Sequence, residues 1–196
     1  MGRVMGVMVM VVLMLTGCAG MQRTPDKAVS CFKVMEGVQE QITWQVWNAQ
    51  GWAASPALVE AVVAQNAKGP IAGMTNEKWK TVPEGDAVVQ GFINNEVAKF
   101  LKAEMAKTDG ICVGAFLNSA QGEKVAFTEK TGSYIHKGSA KFDVPFTTGK
   151  PWQGKPELEE KIYVIQISVP VLSEGKPVGA LVVEIDGTKL EELSKK

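Results

Sequence analysis

Apolar residues recur every three or four positions through the first half of the chain, which is the spacing of one face of an α-helix. The first helix is predicted to start at the Thr-Pro-Asp signal of residues 24 to 26 and to continue to about residue 49. A second helix is predicted over residues 55 to 66 and a third over residues 87 to 107. The intervening residues 67 to 86 contain several Gly and Pro breakers and are predicted to form a loop.

The second half of the chain changes to an alternation of apolar and polar residues, which is typical of β-strands. Residues 111 to 118 and 124 to 128 form a predicted hairpin. Residues 161 to 186 predict a second hairpin, whose two long strands each have one aliphatic face and one mixed face. A loop is predicted over residues 129 to 150, and loops of that length are often functional. Helices followed by antiparallel hairpins indicate the α+β fold class.

The N-terminus carries one early charge, Arg3, and then an apolar run over residues 4 to 15. This run is shorter than the roughly 20 residues of a membrane-spanning helix and is typical of a removable signal peptide. The Leu-Thr-Gly-Cys that ends in Cys18 resembles the lipobox of bacterial lipoproteins, which implies cleavage before Cys18 and its lipidation. The alternative is an ordinary secretory signal with a chance cysteine. By the same resemblance, Ala19 favours the outer membrane over the inner one.

These signals divide the chain into three regions. Residues 1 to 17 are predicted to be a lipoprotein signal peptide, and residues 18 to 27 a lipidated tether. Residues 28 to 196 are predicted to form a single domain, with a helical part over 28 to 107 and a sheet part over 110 to 196.

Charge and cysteine content narrow the function classes. The chain has 21 basic and 21 acidic residues mixed along its length, so nucleic acid is not an expected partner. With His136 as the single histidine, neither a metal site nor a cofactor motif is predicted. An oxidising envelope would permit Cys31 and Cys112 to form a disulfide, but their apolar surroundings favour two free thiols.

Three stretches carry a resemblance to a known family: GAFLNSAQGEKVAFTEKTGSY in the first hairpin, WQGKPEL before the second, and ISVPVLSEGKPVGALVVEID within it. Over about residues 87 to 190 the chain resembles the single Cache, or PAS-like (PDC), extracellular sensor domains. The resemblance implies a five-stranded antiparallel sheet, with a long N-terminal helix and additional helices packed on one face. It also implies a ligand cavity on the other face, under the loop between the second and third strands.

Members of this family bind small molecules such as amino acids, carboxylates, amines or purines. The Arg-x-Trp-Tyr-x-Asp motif of the amino-acid-binding branch is absent here, because Trp152 is followed by Gln-Gly. This departure counts against amino-acid recognition. Lysines such as Lys137, Lys141 or Lys150 would attract a carboxylate, with less geometric selection than an arginine gives.

Six residues that fall near the long loop or on the mixed face of the second hairpin are candidates for ligand binding: Trp152, Tyr134, His136, Asp186, Gln166 and Ser168. Trp152 would either wall a pocket or anchor a loop to the core. Tyr134 and His136 would lie in a lid over the cavity or at the surface of a mobile loop. Asp186 would meet a ligand ammonium or cap the last helix. The two polar residues of the mixed face would line the pocket or face solvent.

Together these features predict a lipid-anchored envelope protein facing the periplasm. It would bind a small polar metabolite through its sensor-like domain and relay the bound state to a partner protein. The alternative is a structural or accessory lipoprotein that uses the same fold as a protein–protein interaction surface and binds no ligand. An enzyme is not expected, because no catalytic constellation is recognisable in the sequence.

Overall fold

The computed structural model describes residues 28 to 30, 33 to 159 and 161 to 195. The predicted signal peptide and tether lie outside these ranges, and so do Cys18 and Cys31. Within the ranges, none of the helices combines the length and the apolar character needed to cross a membrane.

The described residues contain seven α-helices and one 3₁₀ turn. The helices are α1 (Glu36–Ala53), α2 (Pro56–Lys68), α3 (Asn76–Thr81), α4 (Ala87–Ile93), α5 (Glu96–Met105), α6 (Ala140–Thr148) and α7 (Gly187–Ser194), and the 3₁₀ turn is Ala106–Thr108. Ser55, Thr75 and Asn95 each accept a hydrogen bond from the backbone N–H three residues on, which caps α2, α3 and α5.

The strands of the described residues form one antiparallel sheet. They are β1 (Cys112–Ser119), β2 (Lys124–Phe127), β3 (Trp152–Gln153), β4 (Glu157–Glu159), β5 (Ile162–Ser173) and β6 (Lys176–Asp186). Their order is β2-β1-β6-β5, and both β3 and β4 pair with the outer edge of β5. The α+β class and the layout of five strand positions are confirmed. The fifth position is divided in two, because Pro156 has no N–H to donate to the ladder.

The aliphatic face of β5 and β6 carries the main core. Ile165, Ile167 and Val169 of β5 are at most 1% exposed and belong to a cluster that includes residues of α1, α2, α5 and α7. From α1, Val38 and Ile42 contribute to it at helical spacing. Burying such a side chain is worth roughly 1.5–3 kcal/mol, so this layer holds the helices on the sheet.

The part of the opposite face that β5 and β6 form is covered by α6. The loop predicted over residues 129 to 150 is wrong in its second half, where this helix packs on β5 and β6. Phe142 is buried, and its ring stacks on that of Phe146 with 5.1 Å between centroids. The helix was not predicted because it contains Pro145, and proline usually breaks a helix at such an interior position.

The first helix begins at Glu36, later than predicted, and the described residues just before it are not helical. Val29 forms a parallel bridge with Trp152 instead. Its N–H donates to the carbonyl of Pro151 at 2.8 Å, and its carbonyl accepts from the N–H of Gln153 at 3.0 Å. The N-terminal segment therefore pairs with β3, which satisfies backbone groups on the free side of that short strand.

The predicted third helix is interrupted between α4 and α5. Asn95 caps α5 and also donates its side-chain N–H to the carbonyl of Val125 on β2 at 2.9 Å. These two bonds hold the break in place, so the apolar stripe continues across two helices.

The predicted loop over residues 67 to 86 contains a short helix, α3. Its Trp79 is fully buried and packs against Phe92, Phe127 and Tyr134, with ring centroids 5.5 to 6.1 Å apart. This aromatic cluster is a second, smaller core. The packing of this cluster stabilises a short helix in a segment whose glycine and proline residues predicted an irregular loop.

Candidate functional site

The mixed face of the sheet is the face against which α6 packs. Two rows of paired residues cross it from strand to strand. One row is Ser168, Val182, Phe116 and Phe127, and the next is Pro170, Ala180, Asn118 and Lys124. Each row brings side chains from β5, β6, β1 and β2 to one side of the sheet.

A β-bulge turns Lys124 onto this face. The pairing of β1 with β2 shifts after Leu117, so that Asn118 lies opposite Lys124 instead of Val125. As a result, the successive residues Val125 and Ala126 both join the main core. Under strict alternation Lys124 would point toward the helices, so the bulge decides its direction.

Four side chains on or above this face are buried and hold polar atoms that make no hydrogen bond to any described residue: Asn118, Lys124, His136 and Ser168. The atoms are both amide atoms of Asn118, Nζ of Lys124, Nδ1 of His136 and Oγ of Ser168. We call these four residues the polar cluster. Buried polar groups are almost always hydrogen-bonded, so a group of this kind on one face indicates a site that binds water or a ligand.

The ring of Phe116 lies at the centre of the basic groups. Lys124 Nζ is 3.4 Å from the ring centroid, and Nζ of Lys141, which comes from α6, is 5.8 Å from it. The imidazole of His136 stacks on the same ring with 4.8 Å between centroids. Because the face of an aromatic ring attracts cations, Phe116 supports two amines at once.

Burial changes the protonation of these groups. Desolvation, together with the charge of Lys141, holds the pKa of Lys124 well below its ordinary value, and Glu184 opposes this shift. Desolvation, followed by the charges of Lys124 and Lys141, lowers the pKa of His136 to about 2. Desolvation also lowers the pKa of Lys141, against the attraction of Glu184. The imidazole is therefore neutral at physiological pH, and Lys124 has no hydrogen bond within the described residues to offset its burial.

A polar chain links α6 to the sheet. Lys141 Nζ donates to Gln166 Oε1 at 2.8 Å, and Gln166 Nε2 donates to Glu184 Oε1 at 2.8 Å. Gln166 and Glu184 are directly paired across β5 and β6. The chain holds one carboxylate near Lys141 and fixes α6 over the mixed face.

Acidic residues gather at the end of the face where Glu184 lies. Desolvation first, and the charge of Glu184 second, raise the pKa values of Glu129 and Glu159. Gly114 of β1 leaves room for this group, since a methyl there would clash with the Glu184 carboxylate and lie 3.5 Å from Glu129 Oε1. The mixed face thus has a basic end around Lys124 and an acidic end around Glu184.

Four of the six predicted ligand-binding residues lie on or above the part of the mixed face that holds the polar cluster and α6. Ser168 and His136 belong to the polar cluster, and Gln166 belongs to the chain from α6. Trp152 is half-buried directly opposite Ser168, with its ring against Gly154. Their contact with a ligand stays a prediction.

The other two predicted residues have structural partners. The hydroxyl of Tyr134 accepts a hydrogen bond from the backbone N–H of Ile71 at 2.9 Å, and its ring lies in the aromatic cluster. The carboxylate of Asp186 accepts from the N–H of Lys189 at 2.9 Å and caps α7. These contacts place Tyr134 in the aromatic cluster, and not in a lid beside Trp152.

Sequence reasoning missed Phe116, Asn118 and Lys124. One signal was available, because Asn118 follows Phe116 by two residues and so shares its face of the strand. An asparagine in an apolar strand is unusual unless it meets a partner. The direction of Lys124 could not be predicted from the sequence, because the bulge interrupts the alternation of the strand.

Two other features of the described residues are separate from this site. A surface groove of about 510 Å³ lies between α2 and α4, and Lys68, Ile71 and Phe92 are among the residues that line it. None of its described lining residues belongs to the polar cluster. Cys112 is a buried free thiol, and burial raises its pKa to about 11. The described ranges hold no group of three or more His, Cys, Asp or Glu suited to a metal ion.

Comparisons with known proteins place the chain by its fold. No protein-family model matches the sequence, and no curated protein matches it. Among solved structures, the sensor domain of E. coli DcuS matches with a TM-score of 0.52 at 10% identity, over 82% of this chain and 98% of that one. The chain has the fold of a Cache sensor domain.

Two further solved structures match this Cache fold more weakly. The sensor domain of the V. cholerae histidine kinase DctB gives a TM-score of 0.46 at 14% identity, over 81% of this chain and 55% of that one. The ligand-binding domain of the Campylobacter jejuni chemoreceptor Tlp3, in complex with L-valine, gives 0.43 at 16% identity, over 84% and 69%. The matched domains are described as sensor domains and a ligand-binding domain.

The buried imidazole of His136 makes stability depend on pH. In the folded protein its pKa is about 2, whereas in the unfolded chain it is near 6.5, so the unfolded state binds more protons below pH 6.5. Stability is therefore expected to fall as the pH falls, by about 2 kcal/mol of unfolding free energy between about pH 6.5 and pH 5 from this group. Urea denaturation at both pH values measures the loss. His136→Gln should lose less, and an equal loss in both proteins would contradict the neutral burial.

Proposed function

We propose that this chain is a lipid-anchored protein facing the periplasm, which binds a small polar metabolite on the mixed face of its sheet and relays the bound state to a partner protein. The polar cluster is the observation that carries the proposal. Its buried polar atoms find no hydrogen-bond partner in the part of the chain that is described. A metabolite with several donors and acceptors would satisfy them, whereas an apolar one would leave them unpaired.

The element that covers the site supports a relay. α6 has nine residues, too few for a helix to be stable on its own, and it depends on the Lys141–Gln166 bond and on the buried ring of Phe142. A ligand that competes for Lys141 would loosen this attachment. We therefore expect α6 to change position on binding and to present the bound state to the partner.

The anchoring part of the proposal is supported by the N-terminal sequence. Arg3, the apolar run and the Leu-Thr-Gly-Cys ending at Cys18 resemble a lipoprotein signal. The predicted tether over residues 18 to 27 would connect the lipid to the domain. Ala19 favours the outer membrane as the site of the anchor.

A second candidate function is a structural or accessory lipoprotein that binds no ligand. Trp44 and Trp47 of α1 favour it, because they are 51% and 50% exposed and their rings meet edge-on with 6.1 Å between centroids. Exposed aromatic residues are typical of protein–protein contact surfaces. The same surface would also serve a relay, so a ligand-binding assay is what separates the two functions.

A thermal-shift screen of the full chain in detergent, against anionic, neutral and cationic metabolites, tests ligand binding. We expect at least one metabolite to raise the melting temperature, since a ligand at 100 times its Kd stabilises the folded state by about 2.7 kcal/mol. Ser168→Ala should reduce the shift, because it removes only the buried hydroxyl. Ser173→Ala, near the end of the same strand, is the matched control. A screen without hits would favour the structural lipoprotein, and a shift unchanged in both Ser168→Ala and Asn118→Ala would refute this location.

Fractionation of cells tests the anchor. The wild-type chain should sediment with membranes, whereas Cys18→Ser should lack the thiol that carries the lipid and should not be labelled by radioactive palmitate. Cys112→Ser serves as a control, since that thiol is buried in the domain. Equal palmitate labelling of Cys18→Ser and wild type would rule out the lipobox interpretation.

A further inference from the structure

The gathering of two amines at the polar cluster points to the class of ligand. We propose that the ligand is a small carboxylate whose anionic end lies between Lys124 and Lys141, and that Lys124 takes up a proton from solvent as the carboxylate binds. The proposal rests on the proposed function, because it specifies the ligand of the same site.

Lys124 lies where its charge is not hydrated. Its side chain is fully buried, and its Nζ makes no hydrogen bond within the described ranges while lying 3.4 Å from the centroid of the Phe116 ring. An ammonium group buried without a counter-charge is strongly unfavourable. We infer that the free protein holds Lys124 as a neutral amine, which agrees with the lowered pKa of this group.

Two charged groups act on Lys124, one from α6 and one from β6. α6 contributes Lys141, whose positive charge repels a proton on Lys124. β6 contributes Glu184, whose charge attracts one, but Glu184 Oε1 already accepts a hydrogen bond from Gln166 at 2.8 Å. The hydrogen bond from Gln166 thus holds the Glu184 carboxylate at the acidic end of the face.

The remaining titratable groups around Lys124 do not supply a counter-charge. His136, from the segment before α6, is neutral above about pH 2. Glu123, the neighbour of Lys124 in sequence, accepts a hydrogen bond at Oε1 from Gln65 of α2, on the helical side of the sheet, and its buried Oε2 has no partner among the described residues. β5 contributes to this side the uncharged Ser168 and Gln166. No carboxylate of the described residues lies within hydrogen-bond distance of Lys124 Nζ, so a bound carboxylate would be its first direct counter-charge.

The neutral groups of the site fit a carboxylate. The amide of Asn118 and the hydroxyl of Ser168 would donate to its oxygens without adding charge. The stacked rings of Phe116 and His136 would offer an apolar surface to its carbon atoms. A ligand ammonium placed at this end would instead be repelled by both lysines.

Carboxylate binding and protonation of Lys124 are linked. The carboxylate favours the protonated amine, so the bound complex holds one proton that the free protein lacks, and no covalent bond is made or broken. Affinity must then fall as the pH rises, by up to about tenfold per pH unit between the pKa values of Lys124 in the free and the bound protein. The site would respond to the carboxylate and to pH together.

Isothermal titration calorimetry on the full chain in detergent tests the proposal. Acetate, lactate and succinate are the probes, and acetamide and inorganic phosphate are the comparators. Repeating each titration in two buffers with different ionisation enthalpies gives the number of protons taken up. We expect at least one of the carboxylates to bind with an uptake of up to about one proton, to bind more weakly at higher pH, and to be preferred over both comparators.

Lys124→Met is the diagnostic variant, because it keeps the length of the side chain and removes the amine. It should weaken carboxylate binding at least about 100-fold and abolish proton uptake. It should also raise the melting temperature of the free protein, since a buried group without a counter-charge is lost. Lys176→Met, at an exposed lysine where β6 begins, is the matched control and should change none of these quantities.

The other possible outcomes would overturn the ligand class, the proton uptake or the proposed function. Carboxylate binding without proton uptake would overturn the proposal, and this count is measured on the unaltered protein, so it holds even if Lys124→Met does not fold. Binding of acetamide, of phosphate alone, or only of neutral or cationic metabolites from the thermal-shift screen would overturn the ligand class and leave the proposed function intact. The absence of any binding metabolite would refute both.

Discussion

The burial of Lys124 is the constraint on which the site depends, because an amine inside a protein must either give up its proton or gain a counter-charge. Its neighbours do not resolve this in the described structure. Lys141 adds a second positive charge, the imidazole of His136 is neutral, and the Glu184 carboxylate is bonded to Gln166. The free domain therefore keeps an unfavourable arrangement at the centre of one sheet face, and an incoming anion would relieve it.

The two faces of the sheet differ in how completely their side chains are satisfied. On one face, aliphatic side chains such as Ile165 and Ile167 pack under four helices and provide a conventional core. On the other, α6 and the aromatic cluster around Trp79 of α3 cover a face whose polar residues have incomplete hydrogen bonds within the described chain. Natural proteins commonly give up stability at functional sites and recover it in the core. Trp152 lies opposite Ser168 at the edge of the second face, and its contact with a ligand stays a prediction.

The features predicted correctly from sequence are those that follow a regular period. The strict alternation of β5 put Gln166 and Ser168 on the mixed face, and the helical stripes gave the layer on the other side. The features that escaped prediction break a period or depend on contacts distant in sequence. Lys124 reaches the site through a bulge, and α6 contains Pro145 and is stabilised by the sheet beneath it. Neither effect can be read from local propensity.

Nuclear magnetic resonance of the chain labelled with ¹³C in its lysine side chains tests the central claim most directly. The signal that disappears in Lys124→Met identifies Lys124, and its pH titration is followed in the free protein and with a bound carboxylate. The account predicts that Lys124 of the free protein titrates below the exposed lysines and that the carboxylate moves its titration to higher pH. A Lys124 that titrates together with the exposed lysines, and is indifferent to the carboxylate, would contradict it.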